Sequence, residues 1–195
     1  MMKKKLTALV AVLLVCLLLT GCAGETAPAE EPEKYPTFEY THYSSGGNAE
    51  TYEAVILFEQ SVSTFTSYQV AFVSCTCRDA LVNYYSVCYV ELLNNKPSAE
   101  ESAIRAITFG NNQGLWGDSN PNYYKHEYTQ EYMDENFVQR LVRVTKGEFD
   151  QWQGYGTWLD AVDADAVTGA TVSTSNITSM LQSLFRYHAD KYYSE

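Results

Sequence analysis

The chain has 195 residues, with 24 acidic against 13 basic side chains and a formal net charge of −11 at pH 7. That balance argues against a nucleic-acid-binding protein and against tight contact with an anionic lipid surface. A hydrophobic share of 46% is enough to build a core, and no repeat at solenoid spacing divides the chain.

Residues 1–22 read as an export signal. Lys3, Lys4 and Lys5 form a basic start, and Leu6 to Leu19 is an apolar run short for a membrane span. The run ends in Leu19-Thr20-Gly21-Cys22, which resembles a bacterial lipobox. The resemblance implies that Cys22 carries a lipid anchor and that the mature protein sits on the extracytoplasmic face of the cell membrane. A plain signal peptide or an uncleaved anchor would also place the remainder outside the cytoplasm. Processing would remove three lysines and no acidic residue, so the mature protein is more acidic still.

Residues 23–48 read as a flexible tether. Ala, Pro and Glu dominate Ala23 to Pro36, and Ser44-Ser45-Gly46-Gly47 follows. This composition buries little apolar surface. Tyr35, Phe38, Tyr40 and Tyr43 alternate loosely with polar residues, so the tether is expected to end in an edge strand. Residues 49–195 then form one domain.

Within it, Tyr52 to Glu59, Ser67 to Cys77 and Tyr84 to Leu93 read as strands rich in Val, Tyr and Phe. Arg78 to Asn83 would join the last two as a hairpin. Ser98-Ala99-Glu100-Glu101 has the capping-box pattern and is expected to open a short helix carrying Ile104 and Ile107, with Gly110 as its stop. Asn111 to Tyr124 reads as loop. Glu131 to Lys146 reads as helix ended by Gly147, with a strand over Phe137 to Val144 as the competing assignment. Gln151 to Trp158 is an aromatic, glycine-containing segment. Ile177, Met180, Leu181, Leu184, Phe185 and His188 recur in steps of three and four, one face of a terminal amphipathic helix. The expected class is therefore α+β, a small, mostly antiparallel sheet packed with a few helices.

Beyond the proposed anchor, Cys75, Cys77 and Cys88 remain in an oxidising compartment. A hairpin turning near Leu81 sets Cys75 opposite Cys88, so these two are the expected disulfide, with Cys77 free. A Cys75-x-Cys77 thiol pair is the alternative. His42, His126 and His188 are scattered, which argues against a metal site, and His188 is expected in the core. Asn176-Ile177-Thr178 matches a glycosylation sequon but is read as helix start.

One stretch carries chemistry. Asp165-Ala166-Val167-Thr168-Gly169-Ala170-Thr171 precedes the terminal helix, whose start Ser173, Thr174 and Ser175 could cap. Thr171 would then lie just ahead of free backbone N–H groups and the positive end of the helix dipole, a setting that favours phosphate. Gly169 would permit positive φ and close approach of a ligand, and Ala170 adds little bulk. An ordinary Thr/Gly turn before a helix is the plainer account.

The stretch resembles the attachment motif of the covalent FMN-binding domain family, found in subunits of sodium-pumping NADH:quinone reductases and Rnf complexes. The family pattern is Asp, two free positions, Ser or Thr, then Gly-Ala-Thr. The resemblance implies FMN esterified through its phosphate to Thr171 by a flavin transferase. Asp165, Thr168, Gly169 and Ala170 match the motif, and Ser173 is taken as a neighbouring contact. It implies an electron-transfer flavoprotein, working between a donor and an acceptor protein, rather than a stand-alone enzyme. Trp152, Tyr155 and Trp158 could stack on the flavin ring or simply pack. The resemblance is confined to about ten residues; the glycine-rich opening strand of many relatives is missing. A non-redox surface lipoprotein binding a ligand or partner, and a thiol–disulfide protein using Cys75 and Cys77, are the other readings.

Overall fold

The computed structural model describes residues 34–75, 85–110 and 128–194. The expected export signal, the expected lipobox with Cys22, Cys77, and the expected loop over 111–124 and turn over 78–83 lie outside them. The folded unit starts at Tyr35. The tether boundary at residue 48 is therefore corrected, because Thr37–Tyr43 is already a strand.

Five strands form an antiparallel meander, each paired with the next: β1 (Thr37–Tyr43), β2 (Ala49–Ser61), β3 (Phe65–Val73), β4 (Tyr85–Leu93) and β5 (Ile104–Phe109). The period-two rule sets their faces. On β3, Thr66, Tyr68, Val70 and Phe72 are buried; on β4, Ser86, Cys88, Val90 and Leu92. Tyr68 lies opposite Val90 and Val70 opposite Cys88. The α+β class expected from the sequence holds.

Two expected helices are corrected. Ala99–Glu101 is only a 3-10 turn, and Ser98 makes no side-chain cap. Ile104 and Ile107 lie on β5 instead, both facing inward. Their helix-like spacing of three has a cause in the ladder: Leu92 pairs with Ile104, Glu91 with Ala106 and Val90 with Ile107. The extra residue on β5 is a bulge, which turns a spacing of two into three.

The helix expected over 131–146 ends at Leu141. It comprises α1 (Gln130–Met133), a π turn (Asp134–Val138) and a 3-10 turn (Gln139–Leu141). Arg143, at φ 77°, then redirects the chain. Its N–H donates to the Ile104 carbonyl at 2.8 Å, and Ile104 N–H donates to the Val144 carbonyl at 3.1 Å. Pairing with the start of β5 thus outcompetes another helical turn. A capping box does exist, at Thr145 and Glu148, and it opens α2 (Lys146–Asp150). Gly147, expected as a stop, lies inside α2.

After α3 (Ala164–Val167) comes α4 (Thr171–Tyr192), which buries Ile177, Met180, Leu181, Leu184, Phe185 and His188 as its periodicity requires. It runs along β1: Asn176 holds the Tyr43 backbone, and the Tyr187 ring lies 6.1 Å from that of Phe38. The first strand and the last helix therefore share one core.

The far end of α4 carries a titratable cluster. Glu59 on β2 accepts from Tyr187 Oη (3.0 Å), Lys191 Nζ (2.8 Å) and Tyr192 Oη (2.6 Å). Burial pushes this carboxyl up, but those bonds and the lysine charge outweigh it and hold it below its ordinary value. His188 is buried and neutral. With its Nε2–H aimed at the Leu93 carbonyl (3.4 Å), Nδ1 accepts from Tyr68 Oη at 2.8 Å. Burial lowers its pKa to about 4, against the opposing pull of the Leu93 carbonyl and Glu59.

The sign of the pH dependence follows. Between the ordinary histidine value and about 4, the unfolded chain binds a proton at position 188 that the folded chain refuses. Stability falls with pH across that window, and His188 alone should cost about 2 kcal/mol between pH 7 and pH 5. Glu59 adds little there; its contribution is lost as pH falls through the ordinary carboxylate value and on through its lower folded value. Urea midpoints at the two pH values check this, and His188→Gln should flatten the slope. An unchanged slope in that variant would show that other groups carry the effect.

Candidate functional site

The stretch from Asp163 to Asn176 forms two short turns and the start of a long helix. Asp163 caps α3 by accepting from Asp165 N–H at 3.0 Å. Thr168 Oγ1 donates back to the Ala164 carbonyl at 2.6 Å and closes the turn. A 3-10 turn over Thr168–Ala170 then leads into α4. Asp165 and Thr168 are exposed, Gly169 and Thr171 half-buried, and Ala170 buried.

Thr171 is the first residue of α4, not a residue ahead of it. Its hydroxyl donates to the Thr168 carbonyl. The residue at the N-cap is Ala170, which has no side-chain acceptor, and the first turn contains no acid. A 22-residue helix thus presents its leading N–H groups without the Ser, Thr, Asp or Asn that normally accepts from them. Ser173, Thr174 and Ser175, expected as caps, lie inside the helix and are buried. Thr174 Oγ1 is satisfied by the Ala170 and Thr171 carbonyls at 3.1 and 3.2 Å. Ser173 Oγ is buried without a hydrogen-bond partner.

Gly169 is needed here, though not for positive φ. A Cβ at this position would sit 2.3 Å from Tyr128 Oη and 2.5–2.6 Å from its ring carbons. The same phenol oxygen accepts from Gly169 N–H at 3.0 Å. Tyr132 Oη braces the turn from the same side by donating to the Ala166 carbonyl at 3.0 Å. The two tyrosine rings meet edge to face at 5.8 Å.

Asn176 is the residue that sequence reasoning missed. It is fully buried, so the sequon is not a surface site. Its Oδ1 accepts from Tyr43 N–H at 2.6 Å, and its Nδ2 donates to the carbonyls of Tyr43 and Ser74, both at 2.9 Å. The start of α4 is thereby fastened to the ends of β1 and β3. The available signal was an amide inside a helix pattern flanked by small hydroxyl residues.

The expected Cys75–Cys88 bridge is not formed. Cys88 is a free, buried thiol facing Val70, and full burial pushes its pKa up. Cys75 is held in a disulfide with a cysteine outside the described residues. The cause is register. β3 and β4 both bury their even-numbered positions, so setting 75 against 88 would turn one apolar face to solvent. Non-reducing peptide mapping should find Cys75 in a cross-linked peptide and Cys88 alkylated only after unfolding. A Cys75–Cys88 peptide would overturn this assignment.

The aromatic segment splits in two. Trp152 and Tyr155 pack around Tyr43, at 6.2 and 5.7 Å between ring centroids. Gly47, at φ +81°, leaves room for the Tyr155 ring, which a Cβ would approach to 2.8 Å. Gly156 N–H points to Ser175 Oγ at 3.4 Å, bringing this loop to the first turns of α4. Trp158 and Trp152 line a cleft of about 230 Å³, and the Trp158 indole nitrogen is buried without a partner. Comparison with protein-family models, with curated proteins and with solved structures yields no match.

Proposed function

We propose that this chain is an extracytoplasmic, lipid-anchored flavoprotein that carries FMN on Thr171 and relays electrons between protein partners. The single observation that carries the reading is the half-buried Thr171 hydroxyl as first residue of a long helix whose N-cap supplies no acceptor. A phosphate ester on that oxygen would place negative charge at the positive end of the α4 dipole, beside leading N–H groups that no side chain caps. The buried, unpartnered Ser173 Oγ at the same helix start is a further polar atom awaiting a partner. These features fit the group.

The bound flavin would supply the one- and two-electron chemistry. The chain's own residues do the rest. Tyr128 and Tyr132 hold the turn in shape, Asn176 fixes the helix to the sheet, and exposed Asp165 and Thr168 remain readable by a flavin transferase. The test is co-expression with a flavin transferase and FAD. The full chain should gain the mass of FMN less water and fluoresce in a denaturing gel; a folded, colourless, unmodified protein would reject the reading. The lipobox is tested separately. Cys22→Ala should abolish membrane attachment or processing, and unchanged attachment would count against Cys22 as the anchor.

A further inference from the structure

We propose that the cleft beside α2 binds a small organic ammonium ion that also carries a hydroxyl, a class of which choline is a simple member. The inference does not depend on the flavin reading. The cleft holds about 230 Å³ and is lined by residues between Val144 and Ala161. That is below the roughly 300 Å³ at which pockets for drug-sized ligands begin, so it suits a molecule of few heavy atoms. Its walls combine two indoles, Trp152 and Trp158, with two carboxylates, Glu148 and Asp160. Among the described residues that line it, none is basic. Lys146 on α2 is not in the wall, and its ammonium is paired with Asp150 at 2.6 Å and Glu100 at 3.8 Å.

Each of these features selects for part of such a ligand. Indole is the side chain that attracts a cation most strongly. Carboxylates without a basic neighbour repel anions and draw cations in. Glu148 is held in place, because its Oε2 accepts from Thr145 N–H at 2.8 Å and from Thr145 Oγ1 at 2.7 Å. Asp160 is exposed, and among the described residues its carboxylate has no hydrogen-bond or ion-pair partner. That unpaired charge favours a cation over a neutral sugar, which would also stack on indoles. The Trp158 indole nitrogen is buried without a partner. An indole N–H can only donate, so it calls for an oxygen acceptor, which the hydroxyl supplies.

The wall is built in advance. Trp152 Nε1 donates to the Thr157 carbonyl at 3.0 Å, and Thr157 Oγ1 donates to the Gly154 carbonyl at 2.7 Å. Val162 N–H closes the next turn on the Leu159 carbonyl at 2.9 Å. The Phe149 carbonyl accepts from Gln182 Nε2 at 2.7 Å, which ties the segment to α4. Little order remains to be imposed when a ligand enters.

The test is calorimetric titration of the full chain in detergent. Choline should bind saturably, and its neutral carbon isostere, dimethylbutanol, should bind at least about tenfold more weakly. Asp160→Asn, a change of an exposed side chain that keeps its shape, should weaken choline by about tenfold and reduce the salt dependence. Trp158→Phe keeps a ring but removes the N–H, so it should erase the advantage of choline over tetramethylammonium, which has no hydroxyl. Should that variant not fold, nitrogen-edited NMR of the parent decides: the Trp158 indole N–H signal should move downfield with choline and not with tetramethylammonium. The proposal is overturned by absence of saturation at roughly 10 mM choline, by equal binding of dimethylbutanol, or by choline affinity unchanged in Asp160→Asn. Saturable binding of glucose without binding of choline overturns it as well.

Discussion

Thr171→Ala should abolish FMN attachment while leaving the protein folded. The substitution removes the hydroxyl that would form the ester. Structurally it deletes one hydrogen bond, from Oγ1 to the Thr168 carbonyl, at a half-buried position. That costs about 1 kcal/mol, too little to unfold a domain of this size. Mass and in-gel fluorescence should therefore fall from full to none, with an unchanged circular dichroism spectrum. Asp165→Ala should behave similarly, because the side chain is exposed and its loss affects recognition rather than packing. Gly169→Val should fail for a different reason: its Cβ would collide with the Tyr128 ring, so it should lose both stability and modification. Thr168→Ser keeps the bond to Ala164 and should be tolerated. Modification that persists in Thr171→Ala would move the site to a neighbouring hydroxyl and refute the assignment.

Asn176→Ala should strongly destabilise the protein. It removes three hydrogen bonds at once, those with the Tyr43 N–H, the Tyr43 carbonyl and the Ser74 carbonyl. Each lost bond at this buried position costs about 1–3 kcal/mol, so a total near 4 kcal/mol is expected, or roughly a 10 °C fall in Tm for a domain of this length. Asn176→Asp should be no better, since a carboxylate keeps the acceptor but faces two carbonyls without donors. Thermal and urea unfolding measure the effect. A loss under about 1 kcal/mol would mean that apolar packing, not this amide, fastens α4 to the sheet.

The parts of the fold that were legible are those governed by simple periodicity. The strands around Val55, Val70 and Val90 follow a period of two, and the buried face of α4 follows steps of three and four. What misled was local pattern overridden by pairing. The bulge on β5 gave Ile104 and Ile107 a helical spacing, and Arg143 left the helix to pair with β5. The Ser98 capping pattern lost to the strand that follows it, whereas the same chemistry succeeded at Thr145. At the candidate site, the helix and its first turn were legible, but the N-cap was misplaced. Ser173–Ser175 look like caps only if the helix is imagined to start after them. Tyr128, 41 residues before Gly169, carries no sequence signal that links it to the turn.

The meeting of α4 with β1 has a consequence for how the chain matures. The meander from β1 to β5 needs only neighbouring segments to pair, and such local contacts form early. Yet the apolar face of β1 is covered by α4, which follows all five strands in the chain. A nascent chain that has emerged only as far as residue 170 holds all five strands but lacks the Asn176 clasp and the Phe185 core. The domain therefore closes only once α4 has emerged, and until then it remains open enough to be threaded or handled by other factors. Thr171, in the first turn of α4, finds its place only with that helix. A transferase that reads the motif would thus meet it first on a loose chain and later on a fixed helix, and the order of folding and modification becomes measurable by timing label uptake against protease resistance.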